Sequence, residues 1–151
     1  MLGEIGSTIM RWQDETQHYD ESVGERLGLN GAERRCLGFL HGGPQPAGAI
    51  AAAIGLTPAA VTSLVDRLEA RGLLTRKRSE EDRRKVIIEA TAETGRISEE
   101  YYGSIARDGI GVLEKFSDDE LATILRFMQA ALELQRRHVQ ALKTEPIAAE
   151  A

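Results

Sequence analysis

Apolar residues recur at helical spacing along most of the chain. From residue 5 to residue 27 they occupy nearly every third or fourth position, which predicts one long amphipathic helix. Asn30 and Glu33 have the spacing of a capping box, so a second helix is predicted to begin there and to end at Gly42. The next residues, 44–46, contain two prolines and are predicted to form a rigid connector.

Two short helices are predicted next. The alanine-rich segment 47–54 is predicted to form the first of them and to end at Gly55. Thr57 can cap a further helix, and Pro58 fits its first position because the missing N–H is not needed there. Gly72 is predicted to end this helix, which leaves two short helices joined by a tight turn.

The period of the pattern then changes from helix to strand. Residues 73–78 and 85–90 favour strands, since the second segment is rich in β-branched side chains. The polar residues 79–84 between them predict a long hairpin. Thr91 can cap the following helix, which is predicted to run from about Ala92 to Phe116.

A long C-terminal helix is predicted to follow a full capping box formed by Ser117 and Glu120. One face of this helix alternates steps of four and three residues over three heptads, a spacing typical of helices that pair with other helices. The positions on that face are Leu121, Leu125, Met128, Leu132, Gln135, Val139 and Leu142. Residues 144–151 are expected to form a flexible tail.

The helices at both ends present more apolar surface than a small middle segment can cover. Residues 1–29 and 92–143 are therefore expected to form a helical dimerisation region, because a second copy of the chain is the simplest partner. Residues 30–91 are expected to form a compact unit of short helices and a hairpin. The predicted fold class is mainly α (α+β).

Charge is unevenly distributed along the chain. The 151 residues carry a formal net charge of −5, an average that argues against nucleic acid and anionic membranes as partners. Residues 57–88 nevertheless hold eight basic and five acidic side chains, whereas residues 1–30 carry −4 and residues 89–151 carry −5. The basic charge is thus concentrated on one predicted helix and the hairpin after it.

Several classes of protein are disfavoured by what the sequence lacks. No apolar run approaches the roughly 18 residues of a membrane span, and the first ten residues do not resemble a secretory leader, so a cytoplasmic location is expected. The single cysteine, Cys36, excludes an internal disulfide. His18, His41 and His138 are far apart in sequence and give little support for a zinc site. No phosphate-binding loop or hydrolase motif is present, so neither enzymatic activity nor a cofactor or metal is expected.

The two short helices form a candidate helix-turn-helix, in which the second helix can enter the major groove of DNA. Small and hydroxyl side chains near its start would permit close approach to base edges and phosphates. An ordinary helical pair in a core would explain the same pattern about equally well. The candidate DNA-contacting residues on this helix are Thr57, Ala59, Ala60, Thr62, Ser63 and Arg67, with Asp66 also facing outward.

The hairpin strengthens the interpretation as a DNA-binding unit. An arginine-tipped hairpin beside a helix-turn-helix can act as a wing that follows the DNA backbone and places arginine in the minor groove. The alternative is a solvated charged turn in which Glu81 and Asp82 pair with neighbouring arginines, and both descriptions can hold together. The candidate DNA-binding residues of the hairpin are Arg76, Arg78, Arg83, Arg84 and Lys85.

These residues together resemble the MarR family of bacterial transcription regulators. The resemblance rests on the run from Leu56 to Arg78, on residues 65–69 (Val-Asp-Arg-Leu-Glu) followed by Gly72 and Leu73, and on Asp82 and Arg84 in the hairpin. It extends to the order of helices over almost the whole chain. One departure is Ala90 before Thr91, where the family usually has leucine.

The resemblance implies a homodimer of winged helix-turn-helix subunits whose terminal helices form the dimer interface. It implies that Arg84 is the minor-groove arginine of the wing and that duplex DNA with a near-palindromic site is the partner. It also implies a repressor that a small, often aromatic or phenolic, ligand releases. Candidate ligand-lining residues are Trp12, His18, Tyr19, Cys36, Phe39, Tyr101 and Tyr102, although such side chains at helical spacing more often belong to a core or dimer interface.

Two other functions stay open at this point. One is a winged-helix module that binds proteins and has lost DNA binding, although such a surface has no need for an arginine-tipped wing. The other is a redox sensor acting through Cys36, as in one branch of the family. That branch places its cysteine near the start of the first helix, whereas Cys36 lies within the second predicted helix, where a small buried hydrophobic role is favoured.

Overall fold

Six helices and a small three-stranded sheet make up the fold, which the computed structural model describes for residues 1–79 and 86–144. Among these described residues, no single helix combines the length and apolar composition that crossing a membrane requires. The predicted order of helices and hairpin is confirmed. The elements are α1 (Leu2–Leu27), α2 (Gly31–Leu40), β1 (Gln45–Pro46), α3 (Ala47–Ile54), α4 (Pro58–Ala70), β2 (Leu74–Arg78), β3 (Val86–Ala90), α5 (Ala92–Leu113) and α6 (Asp118–Thr144).

The caps predicted at the starts of two helices are present as hydrogen bonds. At α2, the Asn30 side chain accepts from the backbone N–H of Glu33, and the Glu33 carboxylate accepts from the backbone N–H of Asn30, both at 3.0 Å. At α4, Thr57 Oγ1 accepts from the Ala60 N–H at 3.3 Å. These contacts satisfy N–H groups that a helix start otherwise leaves without partners.

The connector predicted at residues 44–46 is wrong in one respect, because Gln45–Pro46 forms the edge strand β1. It pairs antiparallel with the middle strand β3, with Gln45 opposite Ile88, and β2 pairs with the other edge of β3. A two-residue strand has no periodicity of its own, so it forms only where a partner strand offers hydrogen bonds. An edge position also tolerates Pro46, which has no N–H to donate.

Residues 1–103 form one compact unit with a single apolar core. The inner face of α4 supplies a large part of that core. It packs with side chains from α2, α3 and the sheet, so the burial of α4 fixes which face of this helix remains outside. The largest fully buried side chains are Ile50, Val61, Leu64, Val65, Leu68, Leu74 and Cys36.

The second compact unit begins at Ser104 and contains α6. The predicted capping box is confirmed, since Ser117 Oγ accepts from the Glu120 N–H and the Glu120 carboxylate accepts from the Ser117 N–H. The preceding helix ends at Leu113, three residues before the predicted Phe116, because residues 114–116 form turns leading into this cap. The heptad face of α6 is exposed at Leu125, Met128, Leu132, Val139 and Leu142. Apart from Thr144, the predicted tail lies outside the described residues.

Candidate nucleic-acid interface

Helices α3 and α4 form a helix-turn-helix. The chain bends by 106° between them, within the range of about 90–120° usual for this motif. Gly55 lies in the turn with φ +71°, a left-handed backbone that side chains with a Cβ rarely adopt. The turn therefore depends on glycine at this position, and it sets the direction in which α4 leaves the core.

The outward face of α4 carries small and hydroxyl side chains in its first two turns. Thr62 Oγ1 donates to the Pro58 carbonyl at 3.1 Å, so this side chain lies close against the helix. Small side chains permit close approach of the helix backbone to base edges in a major groove. The exposed candidates are Thr57, Ala59, Thr62 and Ser63, and Ala60 is half-buried.

Arg67 lies on α4 at the far end of this face, and α2 supplies its partner. Its Nε donates to Oε1 of Glu33 at 3.1 Å, while its side chain remains 54% exposed and that of Glu33 only 7%. The pair thus joins an exposed guanidinium to a buried carboxylate. Sequence reasoning identified Glu33 as a helix cap but not as the partner of Arg67, because the two residues are 34 positions apart.

Arg76 is held between two carboxylates of α4. Its side chain donates to Asp66 at 2.5 Å and pairs with Glu69, whose Oε1 also accepts from the Arg76 backbone N–H at 3.1 Å. These contacts, above all the hydrogen bonds to Asp66 and Glu69, raise the pKa of the guanidinium despite the opposing effect of burial. Arg76 therefore connects the first strand of the hairpin to α4, and its charge is balanced within the protein.

The rest of the hairpin is described only in part. Arg78 is exposed at the end of β2, opposite Val86, and Lys77 pairs with Glu89 across the two strands. The remaining DNA-binding candidates of the wing, together with the aspartate of its motif, lie outside the described residues. They are Asp82, Arg83, Arg84 and Lys85.

Arg71 links the end of α4 to the end of α1, a contact that the sequence analysis did not predict. Its terminal nitrogens donate to the carbonyls of Gly28 at 2.9 Å and Leu27 at 2.6 Å. Carbonyls at a helix C-terminus lack partners within the helix, and an arginine supplies both the donors and a favourable charge. The end of α4 is thereby tied to the end of α1, and no local pattern in the sequence indicates such a contact.

Residues 27–85, which contain the helix-turn-helix and the first strand of the hairpin, match the model of the MarR family. Over this segment the chain is similar to the MarR family. A relative in Bacillus subtilis (strain 168), the uncharacterised HTH-type transcriptional regulator YcgE, is 25% identical over 126 residues. The match covers 83% of this chain and 82% of YcgE.

Solved structures place the chain in the winged-helix fold of this family. A mutant of MepR from S. aureus matches with a TM-score of 0.68 and 17% identity, over 87% of this chain and 96% of that one. A second MepR mutant, bound to an oligodeoxyribonucleotide, matches with a TM-score of 0.57 and 18% identity over 87% and 97% of the two chains. NadR in complex with 4-hydroxyphenylacetate matches with a TM-score of 0.60 and 19% identity over 85% and 91%. At these identities the matches establish the fold.

A second feature of the chain is an open cavity of about 1330 Å³ within residues 1–103. Side chains from α1, α2 and the start of α5 line it, among them Trp12, Arg34, Thr94 and Tyr102. The Nε atom of Arg34 is buried without a hydrogen-bond partner among the described residues. Gly24 makes room for this side chain, because a Cβ there would lie 2.6 Å from Arg34 Nε. The cavity thus combines apolar walls with the positive charge of Arg34.

The seven ligand candidates from the sequence occupy different places. Trp12 and Tyr102 line the cavity, and Tyr102 donates to Asp20 at 3.0 Å. Burial, followed by the contact with Asp20, raises the pKa of Tyr102 to about 12, so its hydroxyl stays protonated at neutral pH. The other five are not among the cavity-lining residues: Tyr19 donates to the Tyr101 carbonyl at 2.5 Å, Phe39 packs against the core, His18 is exposed and Cys36 is buried.

Cys36 lies in the core with no exposed surface. Burial raises the pKa of its thiol to about 11, so the reactive thiolate is scarce at neutral pH. These two properties favour the buried hydrophobic role over redox sensing. Within residues 1–79 and 86–144, no group of three or more His, Cys, Asp or Glu side chains is arranged to hold a metal ion.

Proposed function

We propose that this chain is a MarR-family transcriptional regulator, and that it binds duplex DNA as a homodimer and represses transcription from a near-palindromic operator. A small aromatic or phenolic ligand releases it. Helix α4 enters the major groove in each half-site, and the hairpin contacts the adjacent backbone and minor groove. The observation that carries the proposal is the outward face of α4, where small and hydroxyl side chains lead to the exposed Arg67 beside a basic hairpin.

The contacts of α4 support a rigid recognition helix. Arg76 and Arg71 tie this helix to the hairpin and to α1, so both arginines are paired within the protein. A rigid helix presents its outer face without losing conformational freedom on binding, which favours affinity. The arginines proposed to contact phosphates or base edges are Arg67, Arg78 and those at positions 83 and 84.

The homodimer is supported by the exposed heptad face of α6. Leu125 is 58% exposed and Leu132 is 51% exposed, one heptad apart on the same face. Apolar side chains in such a row are stabilised when a second helix covers them. A symmetric pair would also hold two copies of α4 about one turn of DNA apart, roughly 34 Å, which matches two half-sites.

The ligand is supported by the cavity around Arg34. A carboxylate placed there would be attracted by the positive charge of Arg34, and an aromatic ring would contact Trp12. The chemical class this favours is a small aromatic acid. Such a ligand releases DNA only if it binds the DNA-free conformation more tightly than the DNA-bound one.

Replacing Arg84 by alanine is expected to weaken operator binding by about 2–6 kcal/mol per dimer, because each of the two wings gives up an interaction worth about 1–3 kcal/mol. Fluorescence anisotropy with a duplex selected from a random pool measures this change. Arg11→Ala, which removes the same charge from an exposed position on α1, is the matched control and should bind normally. Unchanged affinity in a folded Arg84 variant would contradict the assignment of the wing.

The ligand proposal predicts that 4-hydroxyphenylacetate raises the melting temperature and weakens DNA binding, whereas the corresponding neutral alcohol does neither. Arg34→Met is expected to weaken binding of the acid by about 1.5–3 kcal/mol, since it removes a hydrogen bond between charged groups. Isothermal titration calorimetry measures the loss. Arg26→Ala, at an exposed position of α1 outside the cavity, is the control. Equal binding by wild type and Arg34→Met would place any aromatic acid elsewhere and leave the DNA proposal intact.

A further inference from the structure

The buried carboxylate of Glu33 accepts hydrogen bonds from two parts of the fold, the start of α2 and the helix α4. Its Oε2 accepts from the backbone N–H of Asn30 at 3.0 Å, and its Oε1 accepts from Arg67 Nε at 3.1 Å. The first contact belongs to the capping box of α2, and the second reaches across to the recognition helix α4. A buried carboxylate is costly unless it is paired, so both contacts keep it in one place.

Glu33 is held firmly enough to serve as a fixed acceptor. Its own backbone N–H donates to Asn30 Oδ1 at 3.0 Å, so backbone and side chain are both anchored at the helix start. Only 6% of the residue is exposed, which leaves the carboxylate little room to follow a moving partner. The position of this carboxylate therefore restricts Arg67, and Arg67 does little to restrict the carboxylate.

Arg67 is bound at one nitrogen only. Neither of its terminal nitrogens has a hydrogen-bond partner among residues 1–79 and 86–144, and the side chain is 54% exposed. A guanidinium held through Nε keeps both terminal amino groups for a phosphate. The contact with Glu33 thus selects one orientation of a long side chain without using the groups that bind DNA.

We propose that Glu33 is a positioning residue that orients Arg67 for a phosphate of bound DNA. The inference rests on the proposed DNA-binding function. For the effect of removing Glu33 on DNA affinity, it predicts the opposite of what simple electrostatics predicts. Removing a negative charge near DNA should strengthen binding, whereas removing the residue that orients Arg67 should weaken it.

The test is a double-mutant cycle on a duplex that the wild-type protein selects from a random pool. Glu33→Ala is expected to weaken binding roughly tenfold per dimer, since two arginine side chains must then be ordered on binding. Arg67→Ala is expected to weaken binding and to reduce the slope of log K against log salt by about two, because each of the two subunits then neutralises one phosphate fewer. Adding Glu33→Ala to Arg67→Ala should cause no further loss of DNA affinity.

Asn30→Ala is the matched control for stability. It removes the other half of the capping box and should lower the melting temperature, but it leaves the Glu33 carboxylate bound to the Asn30 N–H and to Arg67, so DNA affinity should fall much less than in Glu33→Ala. Glu33→Gln keeps the size of the side chain and one acceptor oxygen, and it is expected to retain part of the affinity. It also provides a folded variant if Glu33→Ala is too unstable to assay.

A measurement without DNA separates the inference from the proposed function. The Nε–H proton of Arg67 should be protected from hydrogen exchange in the wild type and unprotected in Glu33→Ala. Tighter DNA binding by Glu33→Ala, or an equal loss in the Arg67→Ala background, would overturn the role of Glu33. If the wild-type protein selects no duplex, the proposed function fails and with it the role of Arg67, whatever the exchange result.

Discussion

Replacing Leu68 by alanine is expected to lower the free energy of unfolding by about 3–5 kcal/mol, the range found when a buried leucine is truncated and a cavity remains. Leu68 has no exposed surface and lies on the inner face of α4, within the core of residues 1–103. A loss of about 3 kcal/mol corresponds to a fall in melting temperature of at least about 6 °C. Thermal and urea unfolding followed by circular dichroism measure both quantities.

The control is a substitution by alanine at an exposed position outside the expected dimerisation region. Val86 is 51% exposed, so Val86→Ala should change stability by less than about 1 kcal/mol. At a temperature where both variants are folded, Leu68→Ala should keep most of its DNA affinity, because its side chain faces the core. A Leu68 variant as stable as the wild type would contradict the assignment of the buried face of α4, and with it the outward face.

The second large effect is expected from two charges on the heptad face of α6. In Leu125→Glu combined with Leu132→Glu, the proposed dimer should dissociate to monomers at micromolar concentration. Burying each leucine stabilises an interface by about 1.5–3 kcal/mol, and in a symmetric dimer each substitution acts twice. Burying unpaired carboxylates adds a further cost. Sedimentation equilibrium measures the state of assembly, and DNA binding should disappear together with the dimer.

A matched double variant places the same charges on the opposite side of the helix. Thr123 and Ala130 are also one heptad apart and exposed, but they lie at the positions farthest from the apolar row. Thr123→Glu with Ala130→Glu should therefore leave both assembly and DNA binding unchanged. A wild-type protein that is monomeric, or a dimer that survives the leucine substitutions, would contradict the proposed interface.

Much of the fold could be predicted because its signals are local. The caps at Asn30, Thr57 and Ser117 each depend on residues within three positions, and all three are present in the structure. The turn at Gly55 needs a left-handed backbone that glycine supplies. The inner face of α4 could be predicted from spacing alone, since a helix places every third or fourth side chain on one side.

The contacts that hold the candidate site together could not be predicted in the same way. Arg67 and Arg71 find partners 34 and 43 or 44 positions away, and no periodicity links such residues. Strand β1 exists only because β3 lies beside it. The sequence made Arg76 a candidate for DNA contact. In the structure its side chain pairs with Asp66 and Glu69, because α4 and β2 are adjacent. Long-range pairing, rather than local propensity, decides which cations remain free.

We propose that a dimer of this chain binds operator DNA through α4 and the basic hairpin. The most direct test is selection of duplexes from a random pool, followed by affinity measurements at about 50 and 200 mM salt. We expect a near-palindrome with half-sites about one helical turn apart, two chains per duplex, and an affinity that falls about 10³-fold or more over this range. Failure to enrich any sequence, or an affinity independent of salt, would contradict the account.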